Sequence, residues 1–267
     1  MGLGVYVLAF GAVATGVVDL IWRAFDPGEQ PIQAFGDQVE AHAAVFAVIV
    51  ALMLIVGGAA IVRPRSVRLG AVLLSVAYLI FAIFWCPRLV SGFEYLGWRG
   101  LIGAFGGVGQ QAIVIAAVAI VYVASVAVDA RRAERVVRIA RWAFGLSTVV
   151  FGLAHLTNVG AIGRMVPGWM PLGGNVWAVV TGIAFILAGI AFVSGILDVV
   201  AARLLTAMLI IFGLLALAPQ LVEFTRYQSS WGANVYNVTA IGAAWVLADW
   251  LASRRGGQFS LQPDART

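Results

Sequence analysis

Charged residues along this chain gather mainly in short breaks, and the stretches between them stay largely apolar for about the length that a helix needs to cross a bilayer. Eight such runs lie near 3–22, 42–62, 68–87, 101–128, 142–159, 175–197, 201–219 and 233–251. Each is close to the ~20 residues that span the hydrocarbon layer as α-helix. None alternates with the period of a strand, and an open sheet edge would leave backbone groups unpaired in lipid. The pattern predicts an all-α fold, a polytopic membrane helical bundle of about eight transmembrane helices.

The pattern also repeats. Gly152-Leu153-Ala154-His155 closes the fifth run and leads into Pro167-Gly168-Trp169-Met170-Pro171. Near the start, Gly16-Val17-Val18-Asp19 closes the first run and leads into Pro27-Gly28-Glu29-Gln30-Pro31. Each copy is followed by two apolar runs with an arginine-bearing turn between them. Arg68 opens the third run and Pro87 closes it, as Arg203 and Pro219 do for the seventh. The chain reads as an N-terminal four-span repeat over 1–128, an amphipathic linker over 129–141, a C-terminal four-span repeat over 142–252 and a disordered tail over 253–267. An even number of spans per unit makes these parallel repeats, related by an axis along the membrane normal.

Composition sharpens the class. Hydrophobic residues make up 62% of the chain and charged residues 11%, against about 25% charged in soluble domains. No soluble core would hide this surface. All 17 basic residues are arginine, and they gather in turns rather than on a face for nucleic acid. Arg63, Arg65, Arg68, Arg131, Arg132, Arg135, Arg138, Arg141, Arg203, Arg254, Arg255 and Arg266 lie on one side of the predicted spans. Arg23, Arg88, Arg99, Arg164 and Arg226 lie on the other. The asymmetry places both termini in the cytoplasm of a cell inner (plasma) membrane. The first run lacks a basic leader and a small-residue cleavage site, so it reads as a retained span. The single cysteine, Cys86, provides neither a disulfide nor a CxxC pair. The spacing of His42, His155 and Cys86 offers no metal motif.

With these residues in view, the second half resembles the DoxX/DoxD-like family of membrane proteins. The resemblance rests on Gly152 and His155, then Pro167 and Pro171, then Thr181-Gly182, and covers about 145–250 well and 5–125 weakly. It implies a four-helix bundle, here in tandem, and an association with redox biology: quinone-linked oxidation, or subunits paired with soluble or membrane redox enzymes. The family often carries a glutamate in the Thr-Gly span where this chain has Phe185, and Asp19 replaces the histidine in the first half.

His155 and Asp19 are the candidate catalytic residues, since an ionisable group within a span costs a few kcal/mol and is a functional candidate by default. His155 would bind or exchange a proton with a quinone or a small sulfur-containing or phenolic molecule. The plainer reading is a histidine bonded to a backbone carbonyl or to Asn158. Asp19 stands four residues before Arg23 and would pair with it along one helix face. Pro167, Trp169, Met170, Pro171 and Asn158 are the candidate ligand-binding residues, with Trp169 and Met170 as a lid. The amides Gln110, Gln111, Asn234 and Asn237 read as glue between helices. Three functions remain in play. They are a redox-associated subunit with quinone as the candidate cofactor, a transporter with its site between the halves, and an anchor or assembly subunit. The lipid bilayer is the expected partner, together with a redox protein. Oligomerisation is left open, and no nucleic acid is expected.

Overall fold

A computed structural model describes residues 1–255, apart from the side chains at 38, 40 and 255. Their regular structure is all helical. The elements are α1 (Leu3–Trp22), a 3-10 turn (Ile32–Phe35), α2 (Asp37–Glu40), α3 (Ala43–Ile61), α4 (Val67–Phe84), α5 (Cys86–Leu96) and α6 (Trp98–Ser125). They continue with α7 (Ala130–Thr157), α8 (Val159–Gly163), α9 (Gly174–Ser194), α10 (Asp198–Phe212), a π-helical turn (Gly213–Leu217), α11 (Ala218–Glu223) and α12 (Gln228–Arg255). Among the described residues eight helices or helix pairs are long and apolar enough to cross a membrane: α1, α3, α4 with α5, α6, α7, α9, α10 with α11, and α12. The chain is a polytopic helical bundle.

The boundaries differ from expectation where charge interrupts the apolar pattern. Residues 130–141, read as a separate linker, are the first turns of α7 and continuous with the fifth span. Asp129 starts that helix by accepting the Arg132 N–H at 3.2 Å. Ala133, Val137 and Ala140 fall on one buried face while Arg131, Arg135 and Arg138 stay exposed. The expected tail begins inside α12, which runs to Arg255; its remainder, 256–267, lies outside the described residues.

Each span packs on its neighbours in sequence: α1 on α3, α3 on α4, α4 on α6, α6 on α7, α7 on α9, α9 on α10 and α10 on α12. The last span, α12, then returns to lie along α1 and also touches α6. The eight spans therefore close a ring that α6 and α12 pinch into two lobes. One lobe is α1, α3, α4, α6 and α12. The other is α6, α7, α9, α10 and α12. The bundle does not divide at the linker, because the first span packs along the last and the fourth along the fifth.

Small residues set the closest approaches. A Cβ on Gly11 would meet the Thr239 backbone nitrogen at 2.6 Å, and one on Gly242 would overlap the Leu8 backbone. A Cβ on Gly152 would meet the Gly182 carbonyl oxygen at 2.5 Å. Helices in lipid gain little from burying apolar side chains against one another, so backbone proximity and dispersion supply much of their association. Gly152 and Gly182, two residues of the family-like pattern, thus have a packing role between α7 and α9.

Candidate functional site

The long loops and short helices α2, α5, α8 and α11 gather at one end of the bundle, the long-loop end. Each lobe has a distinct cavity there.

In the α7–α9–α10 lobe, His155 lies one helical turn beyond Phe151, and its Nδ1 lies 2.9 Å from the Phe151 carbonyl oxygen. A carbonyl only accepts, so Nδ1 is the donor, and in the neutral ring Nε2 keeps the lone pair. The imidazole stacks on Phe212, with centroids 6.0 Å apart and planes 14° from parallel. Phe185 lies 5.1 Å away. The position at which the resemblance puts a glutamate is therefore filled by an aromatic ring packed against the imidazole.

His155 borders an apolar cavity of about 460 Å3 between α7, α9 and α10. Such a volume is in the range of small-molecule sites. Pro167 and Met170 from the loop, Trp177, Thr181 and Ala184 from α9, and Met208 and Phe212 from α10 also line it. Val180, Leu204 and Ile211 line it as well, and all three are exposed on the flank of the bundle. Of the adjacent spans, α9 and α10 make the sparsest contact, so this cavity has a side opening where lipid would lie.

The π turn shapes its roof, through Leu215, Ala216 and Leu217. Pro219, which has no N–H to donate, follows the turn at the start of α11. Asn234 Nδ2 donates to the Leu217 carbonyl at 2.9 Å, and Asn237 Nδ2 to the Leu209 carbonyl at 3.1 Å. These two amides tie α12 to the seventh span.

The other candidates separate. Pro167 and Met170 line the cavity, but Trp169 is 73% exposed and is not part of its lining. The tryptophan there is Trp177, whose Nε1 donates to the Pro171 carbonyl at 2.8 Å. Asn158 does not engage the imidazole; its Nδ2 donates to the Ala154 carbonyl at 3.0 Å and finishes α7.

Asp19 lies in the other lobe. It does not pair with Arg23, which ends α1 in a left-handed conformation and is exposed. Instead Asp19, only 1% exposed, accepts from Gln30 Nε2 at 3.0 Å. The 23–36 loop tucks inward to make this bond. Phe25 is buried edge-on against Phe81 and Phe84. Asp26 Oδ1 accepts the Gly28 and Glu29 N–H groups at 2.6 and 2.9 Å. Trp85 Nε1 donates to the Glu29 carbonyl at 3.1 Å. Glu29 and Gln30 are thereby carried into a small enclosed cavity with Asp19, Tyr78, Gln111 and Tyr236.

Burial pushes the Asp26 carboxyl above the usual carboxylate range, against the pull of the two loop N–H groups. Burial, and then the neighbouring charge of Asp26, push Glu29 up to about 8, with partial relief from the Gln110 amide. Sequence reading missed Asp26, Glu29 and Gln30 as site residues. The available signal was the match of Pro27–Pro31 to the later proline loop, with a glutamate where the second copy has Trp169. Asp19 and His155 line different cavities.

No family model, curated protein or solved structure matches this chain.

Proposed function

We propose that this protein binds a small apolar molecule bearing a phenolic hydroxyl, such as a quinol, in the His155 cavity, and that it works as a membrane subunit of a redox system. One observation carries the reading: among the described residues, the only ionisable side chain lining the about 460 Å3 apolar cavity is His155, already committed through Nδ1 to a backbone carbonyl. A neutral imidazole so held offers Nε2 as an acceptor. It suits a ligand hydroxyl, which donates, better than a ligand carbonyl, which does not. It is also placed to take the hydroxyl proton as the ligand is oxidised. The electrons would pass to a partner protein that carries the redox centre. The side opening between α9 and α10 suits a ligand that arrives through the bilayer.

The DoxX-like resemblance of Gly152, His155, Pro167, Pro171 and Thr181-Gly182 supports the same class. So does the correspondence of packed pairs under a tandem repeat. On this scheme α1 lies on α12 as α7 lies on α6, and α4 on α6 as α10 on α12. The arginine distribution supports a plasma-membrane protein with both termini cytoplasmic and the His155 cavity at the outer side.

The test is extraction of the protein in mild detergent and identification of co-purifying small molecules by mass spectrometry, for wild type and His155→Ala. A phenolic or quinoid compound enriched in wild type and depleted in the variant upholds the reading. Equal recovery from both, or none from either after supplementation, removes it.

A further inference from the structure

The second cavity sits between α1, α4, α6 and α12, under the 23–36 loop, and has a volume of about 10 Å3, room for one water molecule. Around it the hydrogen-bond balance does not close. Asp19 Oδ1, Asp26 Oδ2, Glu29 Oε2 and Gln111 Oε1 are all buried without a partner. Asp19 and Gln111 are each 1% exposed, and both line the cavity. These four orphans are carboxyl or amide oxygens; the Tyr78 hydroxyl, also buried without a partner and lining the cavity, offers one donor, so the site remains short of donors. One enclosed water supplies two O–H groups at most.

The charge balance is equally open. The elements around Asp19, Asp26 and Glu29 present Tyr78 from α4, Tyr236 from α12 and the neutral amides Gln110 and Gln111 from α6. Among the described residues, the two ion pairs are Arg141 with Asp198 and Arg254 with Glu134, so no arginine neutralises these three acids. Arg88 lies over the Trp85 ring at 5.4 Å and forms no ion pair with any of them. Three buried charges without a counter-ion would repel one another strongly in a low-dielectric interior.

A proton corrects both deficits at once, because it turns one acceptor into a donor and cancels one charge. A metal ion would also do so, but among the described residues no group of three His, Cys, Asp or Glu side chains is arranged to hold one.

We infer that Asp19 and Glu29, with Asp26 as their acidic neighbour, form a proton-binding site around a single enclosed water, exchanging with the long-loop side through Glu29. The proton is held between carboxyl oxygens and the water, and it returns to bulk water where Glu29 meets the exposed Pro27-Gly28 turn. This site is independent of the His155 cavity.

The experiment is an infrared pH titration of the protein in lipid nanodiscs, read on the protonated-carboxyl C=O band and its shift in heavy water. Wild type is compared with Glu29→Gln, Asp26→Asn and, as an exposed control, Glu223→Gln. In wild type the band should be present at neutral pH and fade with a midpoint near 8. That step should vanish in Glu29→Gln and remain in Glu223→Gln. Asp26→Asn keeps the oxygen that caps the loop but removes the neighbouring charge, so the midpoint should move to lower pH. Replacing sodium by choline should leave it unmoved. Absence of the band in wild type at neutral pH overturns the proposal, as does an unchanged titration in Glu29→Gln. A midpoint that falls as sodium rises would show that the site takes a metal cation instead.

Discussion

His155 Nδ1 lies 2.9 Å from the carbonyl oxygen of Phe151, one turn back along the same helix. That bond fixes the tautomer and aims the chemistry of the ring at Nε2. In His155→Ala the cavity gains volume and loses its acceptor, so affinity for a phenol or quinol should fall about tenfold, on the order of 1.4 kcal/mol. The oxidised carbonyl form of the same ligand should lose less. Equilibrium titration of both redox forms against wild type and variant checks this; equal losses would refute the acceptor role.

Glu29 makes stability depend on pH with a defined sign. Its carboxyl titrates near 4.5 when unperturbed and is pushed to about 8 in the fold. A raised acid favours the folded state while the proton is bound in the fold but not in the unfolded chain. The contribution is therefore complete below about 4.5 and is lost as pH rises through about 8. The melting temperature of wild type should fall across that window. Glu29→Gln should flatten the profile, and Asp26, also raised by burial, should leave a smaller slope at the acid end.

Gly152 and Gly182 bring α7 and α9 into backbone contact. A Cβ at Gly152 would meet the Gly182 carbonyl oxygen at 2.5 Å and Ile186 Cγ1 at 2.6 Å. Gly152→Val should cost about 1–3 kcal/mol through overpacking, seen as a lower melting temperature in detergent. Gly103→Val, at a site with open space around it, should change little. Equal effects at both positions would mean that the close approach is not what Gly152 provides.

Asn234 and Asn237 hold the carbonyls of Leu217 and Leu209. Asn234→Leu should destabilise by about 1 kcal/mol, the order of an interhelical hydrogen bond in membrane proteins. It should also weaken ligand binding, because Leu217 belongs to the roof of the cavity. Thermal melting together with ligand titration separates the two effects. A variant that melts earlier but binds as wild type would confine Asn234 to stability.

The spans were legible because helix in lipid needs nothing beyond an apolar run of sufficient length, and all eight runs supplied one. Their ends were not. Arg131, Arg135 and Arg138 break the hydropathy without breaking the helix, so the start of α7 looked like a linker. His155 stood out as an ionisable residue inside a span, and its loop partners Pro167 and Met170 followed from sequence proximity. Trp177 and Phe212 did not, since they reach the cavity from other helices and look like ordinary apolar residues. Asp19 was visible but its partner was misread. Helical spacing pointed to Arg23, while the fold turns the 23–36 loop back and presents Gln30. Nothing in hydropathy separates a loop that stands in water from one that folds inward with two acids.

The central claim is that the His155 cavity is a ligand site, and filling it tests that most directly. Ala184 lines the cavity on α9, so Ala184→Phe should occupy it while leaving His155 and the acidic cluster unsubstituted. Binding of a short-tailed hydroquinone would be measured for wild type and variant in nanodiscs, with folding confirmed by an unchanged melting temperature without ligand. The account predicts saturable binding to wild type and at least a tenfold loss in Ala184→Phe. Equal affinity of the two proteins, or no binding to either, would contradict it.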